Sequence, residues 1–187
     1  AAIASARRRV TIQSPYLVPS APAVALLRKT LSRGVRIRIN TNSLASTDNL
    51  PAFSGYRSQR ARLLAMGLRL YEYKPAPKVQ QQLMQRLDVA PRIAPIFSLH
   101  AKTMVIDGKA VYIGTFNLDP RSQNLNTEVG VIVRDEDLAG TVEAAIETDM
   151  APDNSWNAAT DDPDAQASLA KRSKVRVYQW LPLRPLL

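Results

Sequence analysis

The chain's single histidine lies in the run Leu99-His100-Ala101-Lys102-Thr103-Met104-Val105-Ile106-Asp107. His100 and Lys102 stand two apart at the start of an apolar, β-rich stretch, so both side chains emerge on one face of a strand. An imidazole beside a fixed ammonium suits a phosphoryl centre: the ring attacks phosphorus while the amine balances charge on the non-bridging oxygens. Gly114-Thr115-Phe116-Asn117 follows, and Thr115 and Asn117 offer hydroxyl and amide donors to the same oxygens. Glu128 opens a later strand and is a candidate partner for the far nitrogen of His100, which would fix the tautomer. Asp107 completes the set, although its turn position at odd spacing from His100 favours a turn-forming role. Gly114 reads as a backbone requirement, for close approach or positive φ. Tyr16, Asn42 and Ser43 fall just after expected strands, where open α/β sheets bind ligands; they are candidates for pocket lining or ordinary turn residues.

These residues need a scaffold, and the first two thirds of the chain alternate strand and helix patterns. Residues 10–13 read as a strand ended by Ser14-Pro15, residues 22–33 as a helix stopped by Gly34, and residues 35–40 as a strictly alternating strand. A second helix spans 50–66 to Gly67, and 68–73 is the next strand. Such a βαβαβ series calls for an α/β fold with a mostly parallel or mixed sheet and helices on both faces. Residues 74–97 form a basic, proline-punctuated excursion with one short helix near 80–87; it would cover an active site or run as a surface loop. Asp107-Gly108 between 103–106 and 110–113 is a hairpin signal. Residues 128–133 read as a strand and 137–149 as a helix. Residues 1–150 thus form the expected catalytic domain. Residues 151–187 read as a polar extension with a last strand or short hairpin around 175–177. Residues 1–8 resemble the middle of a helix, as if cut from a longer polypeptide.

Composition narrows the chemistry. The 187 residues are 45% apolar and 22% charged, an ordinary globular balance that excludes wholesale disorder. Zero cysteines and one histidine exclude a disulfide scaffold, a thiolate zinc site, a cysteine nucleophile and any two-histidine metal motif within the chain. No metal or cofactor is called for. No run of about 18 apolar residues suggests a membrane-spanning helix. The 25 Lys and Arg against 16 Asp and Glu leave a net charge of +9, which favours phosphodiesters, polyanions or an anionic bilayer surface.

The spacing His-x-Lys-x4-Asp, with Gly-Thr-x-Asn ending seventeen positions after His100, resembles the phospholipase D superfamily signature. Residues 14–19 (SPYLVP), 41–48 (TNSLASTD), 70–75 (LYEYKP), 117–122 (NLDPRS) and 126–128 (NTE) resemble the C-terminal half of bacterial C-type cardiolipin synthases. The resemblance covers roughly residues 1–153. It implies a phospholipase D-like fold and phosphotransfer through a covalent phosphohistidine without metal, at a site formed between two such motifs. His100 would then be nucleophile or general acid. Lys102 and Asn117 would hold phosphoryl oxygens with Thr115 assisting, and Glu128 would orient His100. The second motif would come from an N-terminal half of the same polypeptide or from a second copy. Phosphatidylglycerol and a second phospholipid donor would be the substrates, and the protein would sit peripherally on the cytoplasmic face of a bacterial inner membrane. Two rivals remain open: a phospholipase D or nuclease-type phosphodiesterase, homodimeric if self-paired, and a non-catalytic half that binds anionic lipid or a partner.

Overall fold

In the computed structural model, which describes residues 2–88 and 95–181, seven strands form one mixed sheet in the order β6-β5-β4-β1-β2-β3-β7. In chain order the elements are α1 (Ala2–Ser5), β1 (Arg9–Gln13), α2 (Ala21–Leu31), β2 (Arg36–Asn42), α3 (Leu50–Ala65), β3 (Arg69–Tyr73) and α4 (Lys78–Arg86). There follow β4 (Thr103–Ile106), β5 (Ala110–Gly114), α5 (Pro120–Asn124), β6 (Gly130–Val133), α6 (Glu136–Met150), β7 (Ser155–Asn157), a 3-10 turn (Pro163–Gln166) and α7 (Leu169–Trp180). β1, β2 and β3 are parallel, and every other pairing is antiparallel.

Alternation along the central strands sorts their side chains. Val10, Ile12, Ile37, Ile39 and Leu70 are buried in the main core, which also holds residues of α2, α3 and α7. On the other face Thr11, Gln13, Arg38 and Asn40 lie on the α6 side, and Val105 and Val111 pack with Ala139, Ile146 and Met150 in a smaller core. Helix starts follow local capping: Ser20, Asn49 and Asp135 each accept the N–H three residues on. Three residues join β4 to β5, with Lys109 N donating to Ile106 O at 2.9 Å, and Asp107 and Gly108 within this turn both have positive φ, 55° and 68°.

Three expectations are corrected. The helix read over residues 1–8 is confined to Ala2–Ser5. The strand read around 175–177 is instead the middle of α7, capped by Ser168, with Val175 buried in the main core against α3. Its β-branched residues mimic a period of two, but docking on α3 selects the helical period. The extension also returns to the sheet, because β7 pairs with the outer edge of β3. The excursion after β3 holds α4 as read, tied by Lys78 to Asp153 at 2.9 Å; residues 89–94 of it lie outside the described residues.

A carboxylate also lies in the core face. Glu72 is fully buried beneath α3, where it accepts from Tyr56 Oη (2.9 Å) and Arg60 Nη1 (2.8 Å). Asp164, just before α7, accepts from the same Arg60 and from Arg57 Nε at 2.7 Å. Burial pushes the Glu72 carboxyl up, against the pull of Arg60.

Candidate functional site

Strand register gathers the signature residues at one edge of the sheet. β4 runs antiparallel to β1, so Thr103 pairs with Gln13 at the carboxyl end of the parallel strands. His100 and Lys102 precede Thr103 at that edge. Gly114 ends β5 there, and its pairing with Gly130 brings Glu128 and Asn117 to the same side. This is the edge at which open α/β sheets collect ligands.

Asn42 positions the histidine's backbone. Its side-chain Oδ1 accepts from Leu99 N (2.8 Å) and its Nδ2 donates to Leu99 O (2.9 Å), so an amide replaces a missing strand partner beside His100. Ser43 is buried and bonds to Ser46 Oγ at 3.1 Å. Both are candidates for pocket lining; both side chains are buried, and Asn42 is hydrogen-bonded to Leu99. Tyr16 does border an open hollow of about 430 Å³ together with Asn117, Asp119 and Arg121. Its hydroxyl donates to Asp48 at 3.1 Å, and burial beside that carboxylate pushes its pKa up to about 12.

Three further side chains of the signature stand at this edge. The exposed imidazole of His100 makes no hydrogen bond among the described residues. Lys102 Nζ donates to the His100 carbonyl at 3.0 Å; partial burial lowers its pKa, while Glu128, Asp48 and Asp119 pull the other way. Asn117 is nearly buried, with its N–H on Ser122 Oγ (3.1 Å) and its Oδ1 buried without a partner. Glu128 keeps different company from that expected. It accepts from Thr115 Oγ1 and, at 3.1 Å, from Asn126 Nδ2; no hydrogen bond joins it to His100 among the described residues. The Thr115 contact holds its carboxyl below the ordinary value.

Asp107 sits at the opposite end of β4, where it accepts the N–H groups of Arg7, Arg8 and Arg9 at 2.8–2.9 Å. It is the staple that starts β1. Gly114 answers to close approach rather than positive φ: a Cβ there would stand 2.5 Å from Val129 O and collide with the Tyr112 ring. Sequence reasoning gave no role to Ser14, whose Oγ accepts from Leu118 N (3.1 Å) and donates to Tyr16 O (2.8 Å), or to Asp119, which caps α5. The only local signal was Asp119-Pro120 as a helix start. Among the described residues, no three His, Cys, Asp or Glu side chains gather as a metal-binding group.

This sheet and its edge cluster fit the resemblance drawn from the motif, and the chain belongs to the cardiolipin synthase, PLD-like domain family, whose model matches residues 1–150. Cardiolipin synthase C of Escherichia coli (strain K12) is 44% identical over 139 residues, 74% of this chain and 29% of that protein. Cardiolipin synthase A of Pseudomonas aeruginosa (strain UCBPP-PA14) is 33% identical over 149 residues, 80% of this chain and 26% of that protein. The chain therefore spans less than a third of the length of these relatives. Among solved structures, NucT from Helicobacter pylori shares the fold with a TM-score of 0.63 at 17% identity, over 82% of this chain and 85% of its own.

Proposed function

We propose that this chain supplies one half of a phosphatidyltransferase site of the cardiolipin synthase kind. The observation that carries the reading is the meeting of three groups at one sheet edge: the exposed His100 imidazole, Lys102 Nζ, which is bonded to the His100 carbonyl, and the Asn117 carboxamide, whose Oδ1 is buried without a partner. One imidazole attacks the phosphorus of a phosphatidyl donor, forming a P–N bond as the glycerol alkoxide leaves. A second imidazole, from another copy of the motif, gives that alkoxide its proton. The hydroxyl of phosphatidylglycerol then attacks the phosphohistidine, loses its proton to the second imidazole, and frees the first. His100 fills one of these two roles. Lys102 and Asn117 donate to the phosphoryl oxygens, and Glu128 fixes Thr115 beside them.

The names of the relatives support a phospholipid substrate, as does an apolar hollow of about 590 Å³ beside the site. It is lined by Leu26, Met104, Tyr112, Phe116 and Ile132, with Glu128 among its walls, and would take an acyl chain. Among the described residues no helix is long and apolar enough to cross a membrane. With a net charge of +9, the chain would meet an anionic bilayer from its surface.

The test is turnover of radiolabelled phosphatidylglycerol by this chain combined with the second-motif half. Turnover should vanish in His100→Ala. Acid-labile label on the protein then assigns the nucleophile, since it disappears if His100 attacks and persists if His100 is the acid. Unchanged turnover in His100→Ala would overturn the reading, and phosphatidic acid as sole product would replace transfer by hydrolysis.

A further inference from the structure

At the end of the sheet away from His100, four arginines stand on one face of three adjacent parallel strands. Arg9, Arg36 and Arg69 are the first residues of β1, β2 and β3, and Arg38 lies one alternation further along β2. Register makes Arg9 the direct partner of Arg36, and Arg38 the direct partner of Arg69. Like charges directly opposite on neighbouring strands repel. Among the described residues, two carboxylates pair with these guanidiniums. Glu143 binds Arg9 through Nε (2.8 Å) and Nη2 (2.6 Å), and Glu147 binds Arg38 Nη2 at 2.6 Å. The side chains of Arg36 and Arg69 have no hydrogen bond or ion pair among the described residues. Four guanidiniums against two carboxylates leave two positive charges uncompensated.

The space above them is open. The four arginines, the two glutamates, Gly140 and Ala144 enclose a hollow of about 460 Å³. Gly140 and Ala144 are one helical turn apart on α6, and a Cβ built on Gly140 meets nothing within 4 Å. Small residues on the helix therefore leave room where side chains would otherwise cover the strand ends. Both glutamates are engaged with arginines of the cluster: Glu143 holds Arg9 and also reaches Arg38 Nη2 at 3.4 Å, and Glu147 holds Arg38. The free donors are the whole forks of Arg36 and Arg69, Nη1 of Arg9, and Nε and Nη1 of Arg38.

We propose that this hollow is a binding site for a phosphate group carrying two negative charges, held by Arg36 and Arg69 with Arg9 and Arg38 at its flanks. Guanidinium forks match phosphate oxygens two at a time, and two charges balance the surplus. The same chemistry comes from a soluble phosphate compound or from a phospholipid headgroup. The site shares no residue with the His100 cluster, so it stands or falls independently of the reaction proposed there.

The test titrates the whole chain at low salt with inorganic pyrophosphate, followed by calorimetry and by the shift in Tm. Saturable binding is expected, weakened about tenfold or more in Arg36→Gln/Arg69→Gln by loss of charge-assisted hydrogen bonds. That variant should melt at or above the parent without probe, since it removes like-charge neighbours. Gly140→Leu, a change that favours the helix, should fill the hollow and weaken binding while keeping all four arginines. Arg28→Gln/Arg62→Gln lowers net charge equally elsewhere and should bind as the parent does. A second arm sediments the chain with vesicles of phosphatidic acid, whose headgroup is a phosphomonoester, in phosphatidylcholine. Vesicle binding that pyrophosphate displaces, and that needs Arg36 and Arg69, assigns a lipid headgroup; pyrophosphate binding without such displacement assigns a soluble phosphate. No saturable binding, or equal loss in the Arg28/Arg62 variant, would overturn the site.

Discussion

Asn42 shows how a single amide can decide where a reactive side chain stands. Its carboxamide meets both polar groups of the Leu99 backbone inside the protein, 57 residues away in the chain, and His100 is the next residue. Asn42→Leu keeps the volume but leaves a buried N–H and C=O without partners. The expected cost is about 2–3 kcal/mol in urea unfolding. Because the loss falls beside His100, turnover of the assembled enzyme should drop further than the folded fraction does. Unchanged turnover at full folding would show that Leu99 has another anchor. At the same scale, Thr115 and Asn126 both donate to Glu128, which ties together the loop after β5.

Two helices are fastened to the sheet by charge, and the consequences differ with burial. α7 and α3 meet around the chain Arg57, Asp164, Arg60 and Glu72, whose innermost member is fully buried. Arg60→Leu would strand the Glu72 carboxylate in the core, and such a loss costs about 3–5 kcal/mol. Urea unfolding should show that drop in Arg60→Leu and a smaller one in Arg60→Leu/Glu72→Leu, where the uncompensated charge is gone. The α6 clasp is more open. Arg9's hydrogen bonds to Glu143 hold its carboxyl below the ordinary value near 4.5, with Thr11 and Arg38 adding to the pull against some burial. The unfolded chain therefore takes up this proton first as the pH falls. The stability it contributes is complete above the ordinary value and is lost as pH falls through the depressed one. Thermal unfolding between pH 5 and about 3 should show a steeper decline in the parent than in Glu143→Gln; parallel curves would remove the clasp as a source of acid sensitivity.

At the scale of the molecule, the sheet ends on an open strand. β6 is exposed along its whole length, with Val131 at 58% and Ile132 at 55% exposure. Such an apolar edge is a pairing surface, and on the proposed reading it faces the half that carries the second imidazole. The 187-residue chain alone should therefore turn over phosphatidylglycerol at least ~10²–10⁴-fold more slowly than the pair, the usual cost of losing general-acid assistance. Assays over a wide concentration range check this. Robust turnover by a demonstrated monomer would end the split-site reading, and turnover rising steeply with concentration would point to self-pairing. Val131→Glu, at an exposed position outside the apolar hollow, should weaken recovery by the added half without altering the His100 edge.

Local signals sufficed for much of this. Alternation in 35–40, the stops at Gly34 and Gly67, and the Asp107-Gly108 turn define strands and helices through period and turn chemistry, which act over a few residues. The two-residue spacing of His100 and Lys102 is also a local signal, although both precede β4, which begins at Thr103. α7 was not, because Val175 and Val177 suit either period locally and docking on α3 chose the helix. Nor was the clasp of Asn42 on Leu99, or the gathering of Arg9, Arg36, Arg38 and Arg69 beside Glu143, up to 134 residues distant. Those partnerships exist only once β4 turns back along β1 and the parallel strands settle in register. Residue types and short spacings determined which groups can do chemistry; long-range pairing, which no local pattern encodes, decided which of them meet.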